Sequence, residues 1–174
     1  MHQAVTVWFT GYPASGKSTT ALEVAVQIRR LGRSVQVLDA DLVRRDFWPE
    51  LGHSKADRDL NVLRFGRLAS LFAEHGVISL VAAISPYREA REAVRKLAQP
   101  FVEVHMDAPV EVCAARDPKG LYLKALAGEL KGLTGVDDPY EAPLEPDLRL
   151  DTGRISKPEC ARQVVETLRR LGHL

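Results

Sequence analysis

Gly11-Tyr12-Pro13-Ala14-Ser15-Gly16-Lys17-Ser18 decides how this chain reads. It satisfies G-x-x-x-x-G-K-[ST] at every defined position. Before it, Ala4 to Phe9 is apolar, β-branched and aromatic, the composition of a buried strand. After it, Ala21, Val24, Ala25, Ile28 and Leu31 recur at helical spacing, and Gly32 stands where a helix-ending glycine belongs. In a strand–glycine loop–helix unit, successive backbone N–H groups converge on phosphate oxygens, and the helix N-terminus adds partial positive charge there. Gly11, Ala14, Ser15, Gly16, Lys17, Ser18 and Thr19 are therefore the expected nucleotide-binding residues. Lys17 has the reach for β- and γ-phosphates, and the Ser18 hydroxyl can ligate Mg²⁺.

Working outward, Ser34 to Leu38 predicts a second strand, followed at once by Asp39-Ala40-Asp41. Ligands of open α/β sheets bind beyond the carboxyl ends of the strands, so both carboxylates fall at the edge that carries the phosphate loop. One can hold Mg²⁺; the other can orient or deprotonate an attacking hydroxyl. An Asx-type turn is the alternative use of Asp39. Arg44 follows Asp41 by three residues, and Asn61 follows Arg58 by three, so each pair shares a face if its segment is helical. Arginine offers a fork for phosphate or sulfate; asparagine reads hydroxyls or base edges.

Strand and helix signals alternate along the rest of the chain. Ser54 and Asp57 cap a helix running towards His75 and stopped by Gly76. Val77 to Ile84 predicts a third strand, Pro86 to about Leu97 a helix, and Phe101 to Met106 a fourth strand. Pro109 can open a short helix, Leu148 to Leu150 predicts a fifth strand, and Ser156 with Glu159 caps a last helix. The expectation is a single α/β domain over 1–174, a three-layer sandwich around a mainly parallel five-stranded sheet. Asp117 to Pro146 breaks the alternation: it holds four prolines and four glycines, with helix-like residues only around Leu121 to Leu130. A segment this long and irregular in a compact domain is usually a functional lid or disordered. A lid suits a kinase, because closure excludes water that would otherwise attack the γ-phosphate.

Composition narrows the class. Of 174 residues, 45% are hydrophobic and 27% charged, which excludes disorder over most of the length. Lysine and arginine total 24 against 23 acidic residues, so net charge gives no reason to expect nucleic-acid or membrane binding. No apolar stretch is long enough to span a bilayer, and the N-terminus lacks the pattern of a secretory signal. Cys113 and Cys160 read as free thiols in a reducing compartment, so a cytoplasmic location is expected. The histidines at 2, 53, 75, 105 and 173 show no zinc-ligand spacing.

Taken together the motifs resemble the adenylylsulfate kinases. The resemblance is carried by Trp8 to Gly11 running into the phosphate loop, Leu38 to Asp41 with Arg44, and Leu51 to Ser54 with Asp57-Arg58. It continues through Ala83 to Arg88, Arg116 to Tyr122 with Lys124-Ala125, Leu133 to Asp137, Pro139-Tyr140-Glu141, and Leu150 to Thr152. It implies a nucleoside-kinase-like P-loop fold. It implies transfer of the ATP γ-phosphate, with Mg²⁺, to the 3′-hydroxyl of adenosine 5′-phosphosulfate (APS), giving PAPS and ADP. By the same resemblance Asp41 orients the 3′-hydroxyl and takes its proton, while Ser18, Asp39 and Asp41 stand near the metal. Arg44, Arg58 and Asn61 hold the phosphosulfate and ribose side, Ile84 and Ser85 line the acceptor pocket, and Lys119 reaches in from the lid. Arg116 and Thr152 join the ATP-binding set. Lys17, Asp41 and Ser85 form the catalytic set. Family descriptions give Ser85 a phosphoserine intermediate, but P-loop transfer by positioning and charge stabilisation needs no covalent step.

The chain departs from the family pattern at three positions. Ala40 replaces a glycine, and His53 and Leu133 stand where two phenylalanines are expected to sandwich the adenine. A 3′-hydroxyl kinase acting on another nucleotide-linked acceptor, such as a cytidine diphosphate-type conjugate, is the alternative that fits this altered pocket. A nucleotide-binding regulator without turnover is the alternative from another class, and the complete Lys17, Ser18, Asp39 and Asp41 set speaks against it. A homodimer and a functional link to a separate ATP sulfurylase also follow from the resemblance.

Overall fold

The computed structural model describes residues 4–174. Strands β1 (Thr6–Thr10), β2 (Val35–Asp39), β3 (Ile78–Ala82), β4 (Phe101–Asp107) and β5 (Leu148–Asp151) form one sheet. The order is β2-β3-β1-β4-β5 and every pairing is parallel. The helices are α1 (Lys17–Arg30), α2 (Ala40–Phe47), α3 (Lys55–Glu74), α4 (Arg88–Leu97), α5 (Val110–Arg116), α6 (Leu121–Leu126) and α7 (Lys157–Arg170).

Two apolar layers hold the sheet. Successive β1 side chains point to opposite faces, so Val5, Val7 and Phe9 join α1 and α7, while Trp8 joins α3 and α4. The second layer is centred on Trp8, Phe65, Val81 and Val94. Burying each of the large side chains is worth roughly 1.5–3 kcal/mol. The central strands β1 and β3 are buried at every position, whereas β2 and β5 at the edges alternate. That explains why the central strands are the more apolar ones, with Thr6, Thr10 and Ser79 as the polar residues of β1 and β3. Helix α1 ends as its sequence requires: Gly32, at φ 73°, lets its own N–H reach Arg29 O at 2.9 Å and Arg33 N–H reach Ile28 O at 3.3 Å.

Two local expectations need correction. The stretch after Asp39 is a helix, not merely a turn. The Asp39 carboxylate accepts from the Asp41 and Leu42 N–H groups and so caps α2. In the 117–146 segment the helix stops at Leu126, because Gly128 adopts φ 77° and its N–H turns back to Ala125 O. The remainder is ordered without regular structure. Asp137 accepts from the N–H groups of Gly132 and Leu133 at 2.8 and 2.7 Å, which holds its carboxyl below the usual range. Ala108, Cys113, Tyr122 and Leu133 form a small apolar cluster of their own between α5 and this segment.

Candidate active site

The carboxyl ends of β1, β2 and β3 open onto two adjoining cavities. The larger, about 700 Å³, is walled by residues 13–20, Asp39, Asp41, Arg116, Lys119, Thr152 and the start of α7. Gly11 lies beneath it, where a Cβ would stand 2.6 Å from Met106 O, so only glycine lets the loop pass so close to β4. Ala14 and Gly16 take left-handed φ values of 63° and 97°, turning the loop into α1. Two contacts brace it from behind: Thr152 Oγ1 donates to Ser15 O at 2.9 Å, and Arg116 Nη2 donates to Thr152 O at 2.5 Å. Thr19 lines the same cavity.

The Lys17 ammonium donates to Gly11 O at 2.9 Å and Tyr12 O at 2.7 Å. Burial draws its pKa down to about 8, while Asp41 and, more weakly, Asp39 act in the opposite direction. It therefore remains mostly protonated at neutral pH, as a phosphate-binding lysine must. The Ser18 hydroxyl donates to the Asp39 carboxylate, bringing two of the expected metal ligands into contact. Asp41, in the first turn of α2, lies in the same corner and pairs with Lys119. Among the described residues, which exclude His2, no group of three or more His, Cys, Asp or Glu is placed to hold a metal.

The smaller cavity, about 200 Å³, is lined by Arg44, His53, Arg58, Asn61, Ile84, Ser85 and Leu133, seven of the residues expected at the acceptor. Lys119 lines the larger cavity instead and reaches this region through Asp41. Asn61 lines this cavity at 9% exposure, and its buried Oδ1 has no hydrogen-bond partner. Partial burial, and then the Arg44 and Arg58 charges, push the His53 pKa down and favour the neutral ring.

The two arginines that line this cavity also bond the surrounding chain. Arg58 Nε donates to His53 O at 2.8 Å and Nη1 to Thr134 Oγ1 at 2.6 Å, with Asp138 3.1 Å from Nη1. Its Nη2 donates to Gly132 O. Arg44 donates to Leu51 O and Gly52 O. Both shape the walls, and their donors are largely committed to the protein. Ser85, at the cavity wall, is bonded to the protein as well. It is 3% exposed, its hydroxyl donates to Ala83 O at 3.1 Å, and it accepts from Trp8 Nε1 at 2.8 Å. A hydroxyl so committed is a poor nucleophile, and this geometry argues for direct transfer.

A family model for adenylylsulphate kinase matches residues 3–151. The chain belongs to the adenylylsulphate kinase family. Over 172 residues, 99% of this chain and 98% of the relative, it is 49% identical to the adenylyl-sulfate kinase of Synechococcus sp. (strain JA-2-3B'a(2-13)). The structure of the Mycobacterium tuberculosis APS kinase in complex with AMPPNP and APS superposes with a TM-score of 0.93 at 43% identity, covering 97% of this chain and 99% of that one. Shikimate kinase from Aquifex aeolicus, at 19% identity and a TM-score of 0.56, shares the fold.

Sequence reasoning passed over several residues of this kinase. Ile155, Ser156, Lys157 and Cys160 line the larger cavity; the S-x-x-E cap that starts α7 just after Thr152 was the available signal. Tyr122 Oη donates to Pro13 O at 2.9 Å, tying α6 to the phosphate loop. Arg91, Glu103 and Glu141 form a buried polar cluster behind Ser85. They come from α4, β4 and the 117–146 segment, and no local sequence pattern joins them.

Proposed function

We infer that this kinase transfers the γ-phosphoryl group of ATP to the 3′-hydroxyl of APS, producing PAPS and ADP. The observation that carries the reading is the junction of the two cavities at Asp41, which lines both. One side offers loop N–H groups and Lys17 to a triphosphate; the other, lined by Arg44, His53, Asn61 and Leu133, has the polar and apolar walls to take a nucleoside. The hydroxyl oxygen attacks the γ-phosphorus as the bond to the β-phosphate oxygen breaks. Asp41 orients the hydroxyl and accepts its proton. Lys17 stabilises charge on the transferring group.

Ser18, Asp39 and Asp41 would hold Mg²⁺. Their hydroxyl and carboxylate oxygens suit a hard cation that keeps waters and shares phosphate ligands. Bound there, the ion neutralises phosphate charge. In the same reading, 1–174 is one domain with residues 117–146 as its lid, working in the cytoplasm on APS made by a separate sulfurylase. The exposed Leu42, Phe47, Leu60, Leu63 and Leu71 on α2 and α3 support a homodimer.

The test is ADP release on addition of APS, with mass and NMR identification of a 3′-phosphate on the product. His53 and Leu133 favour keeping a cytidine diphosphate-type conjugate in the acceptor panel. Turnover with that conjugate and none with APS would replace the inference.

A further inference from the structure

Glu141, near the end of the lid, is bonded through three of its groups to one corner of the molecule. Its N–H donates to Pro86 O at 2.8 Å, its carboxylate accepts from Arg88 N–H at 2.8 Å, and its carbonyl accepts from Arg91 Nη2 at 2.6 Å. Arg88 opens α4, whose N-cap residue Tyr87 supplies no side-chain acceptor. The lid thus delivers the acidic cap that this helix lacks.

Arg91 carries the connection into the acceptor cavity. Its side chain is 3% exposed. Nε donates to Glu103 at 2.9 Å and Nη1 donates to Ser85 O at 2.5 Å; the guanidinium also lies 5.8 Å from the Tyr140 ring centre. Ser85, held by that bond, has φ 46°, a left-handed conformation uncommon for a residue with a Cβ. Tyr140 Oη bonds Thr10 Oγ1 at 3.0 Å, and Thr10 in turn donates to Ile84 O at 2.6 Å. The rear of the lid is therefore tied to the strand ends that floor both cavities. A buried ion pair such as Arg91–Glu103 gains little net stability over apolar packing. What the guanidinium supplies here is a rigid fork whose donors leave in three directions, which a lysine does not have.

We propose that Arg91 and Glu141 form a latch between the rear hinge of the lid and the acceptor corner. Both are positioning residues for phosphoryl transfer, acting through the Ser85 backbone and the lid. The proposal rests on the kinase reading above.

The experiment is steady-state kinetics with ATP and APS varied separately, plus limited proteolysis mapped over 117–146. It uses the wild type, Glu141→Ala, Glu141→Gln and Arg91→Lys. Glu141→Ala should raise KM for APS about tenfold, leave KM for ATP within about twofold, and increase cleavage in the lid. Glu141→Gln keeps an oxygen for Arg88 N–H and should restore all three values. Arg91→Lys should show the same split with a larger change. A merely structural loss would shrink the active fraction, lowering Vmax while leaving both KM values alone, and that result overturns the latch. So do KM changes of equal size for both substrates, or unchanged lid cleavage. If Arg91→Lys does not fold, the Glu141 pair decides the matter. A wild type without APS-dependent ADP release removes the kinase reading, and the cleavage comparison still decides the latch.

Discussion

Lys119, just before α6, and Asp41, in the first turn of α2, form an ion pair across the mouth of the site. Both side chains are more than half exposed, 58% and 69%, and an exposed pair contributes only about 0–1 kcal/mol. Its value is placement: it brings a cation to the carboxylate that faces both cavities. Lys119→Met should shift stability in urea by less than about 1 kcal/mol. It should lower kcat/KM for APS about 10- to 100-fold, the worth of a hydrogen bond to a charged group.

Lys17→Met removes the one buried ammonium in the phosphate loop. Turnover should fall by at least about 10²–10³-fold, the usual effect of deleting a preorganised charge-stabilising donor. The circular dichroism spectrum should stay that of the wild type. Wild-type kcat in this variant would mean that the loop does not bind the transferring phosphate.

Gly11→Ala forces a Cβ to within 2.6 Å of Met106 O, a backbone atom, and 2.8 Å of Ser15 Oγ, at a φ of 153° that disfavours a side chain. The loop must move. Calorimetric titration with ADP should show affinity reduced about 100-fold, since displacements near 1 Å have effects of that size.

The two positions that depart from the family pattern should respond in opposite ways. His53 is exposed, so His53→Phe can add a ring to the acceptor cavity without crowding. APS binding should tighten by about 1 kcal/mol, roughly fivefold, within the range of base–aromatic stacking. Leu133 is 7% exposed and packed with Tyr122 and Cys113, so Leu133→Phe should lower stability by about 1–3 kcal/mol through overpacking. Titration of APS and urea melts of both variants check this contrast.

Burial pushes the His105 pKa below its ordinary 6.5, and His53 and His173 shift the same way for the same leading reason. Between the folded value and 6.5, the unfolded chain binds more protons. The stability these neutral rings contribute is thus fully present above 6.5 and lost as pH falls towards the folded value. Urea midpoints should drop from about pH 7.5 to about pH 5.5, and His105→Gln should flatten part of that slope.

The sheet was legible because each strand announces itself locally. The runs at Ala4–Phe9 and Val77–Ile84 are apolar on both faces, and glycines at 32 and 76 mark the helix ends. Helix α2 was less so, since it is only eight residues long and none of them is fully buried. Its start is set by the Asp39 carboxylate, a residue that already had a reading as a metal ligand. The donor side of the site follows from a contiguous motif. The uses of Arg44 and Arg58 do not, because most of their acceptors are backbone carbonyls, at 51, 52, 53 and 132, which carry no side-chain signature. The Arg91 network was invisible for the same reason: Ser85 and Glu141 accept through their main chains.

The two cavities share Pro13, Ala40, Asp41, Ala83, Ile84 and Leu121 as a common wall. A partition built from the same side chains means that occupants of the two rooms touch. One molecule could then fill both: two nucleosides joined through a short polyphosphate bridge. Tethering gives the second half an effective concentration of about millimolar for a short flexible linker, so affinity multiplies without a new contact. Geometry also bounds the bridge, because a tether too short to pass Asp41 loses the whole advantage. The spacing between the rooms can therefore be measured in solution, by counting the phosphates at which inhibition sharpens.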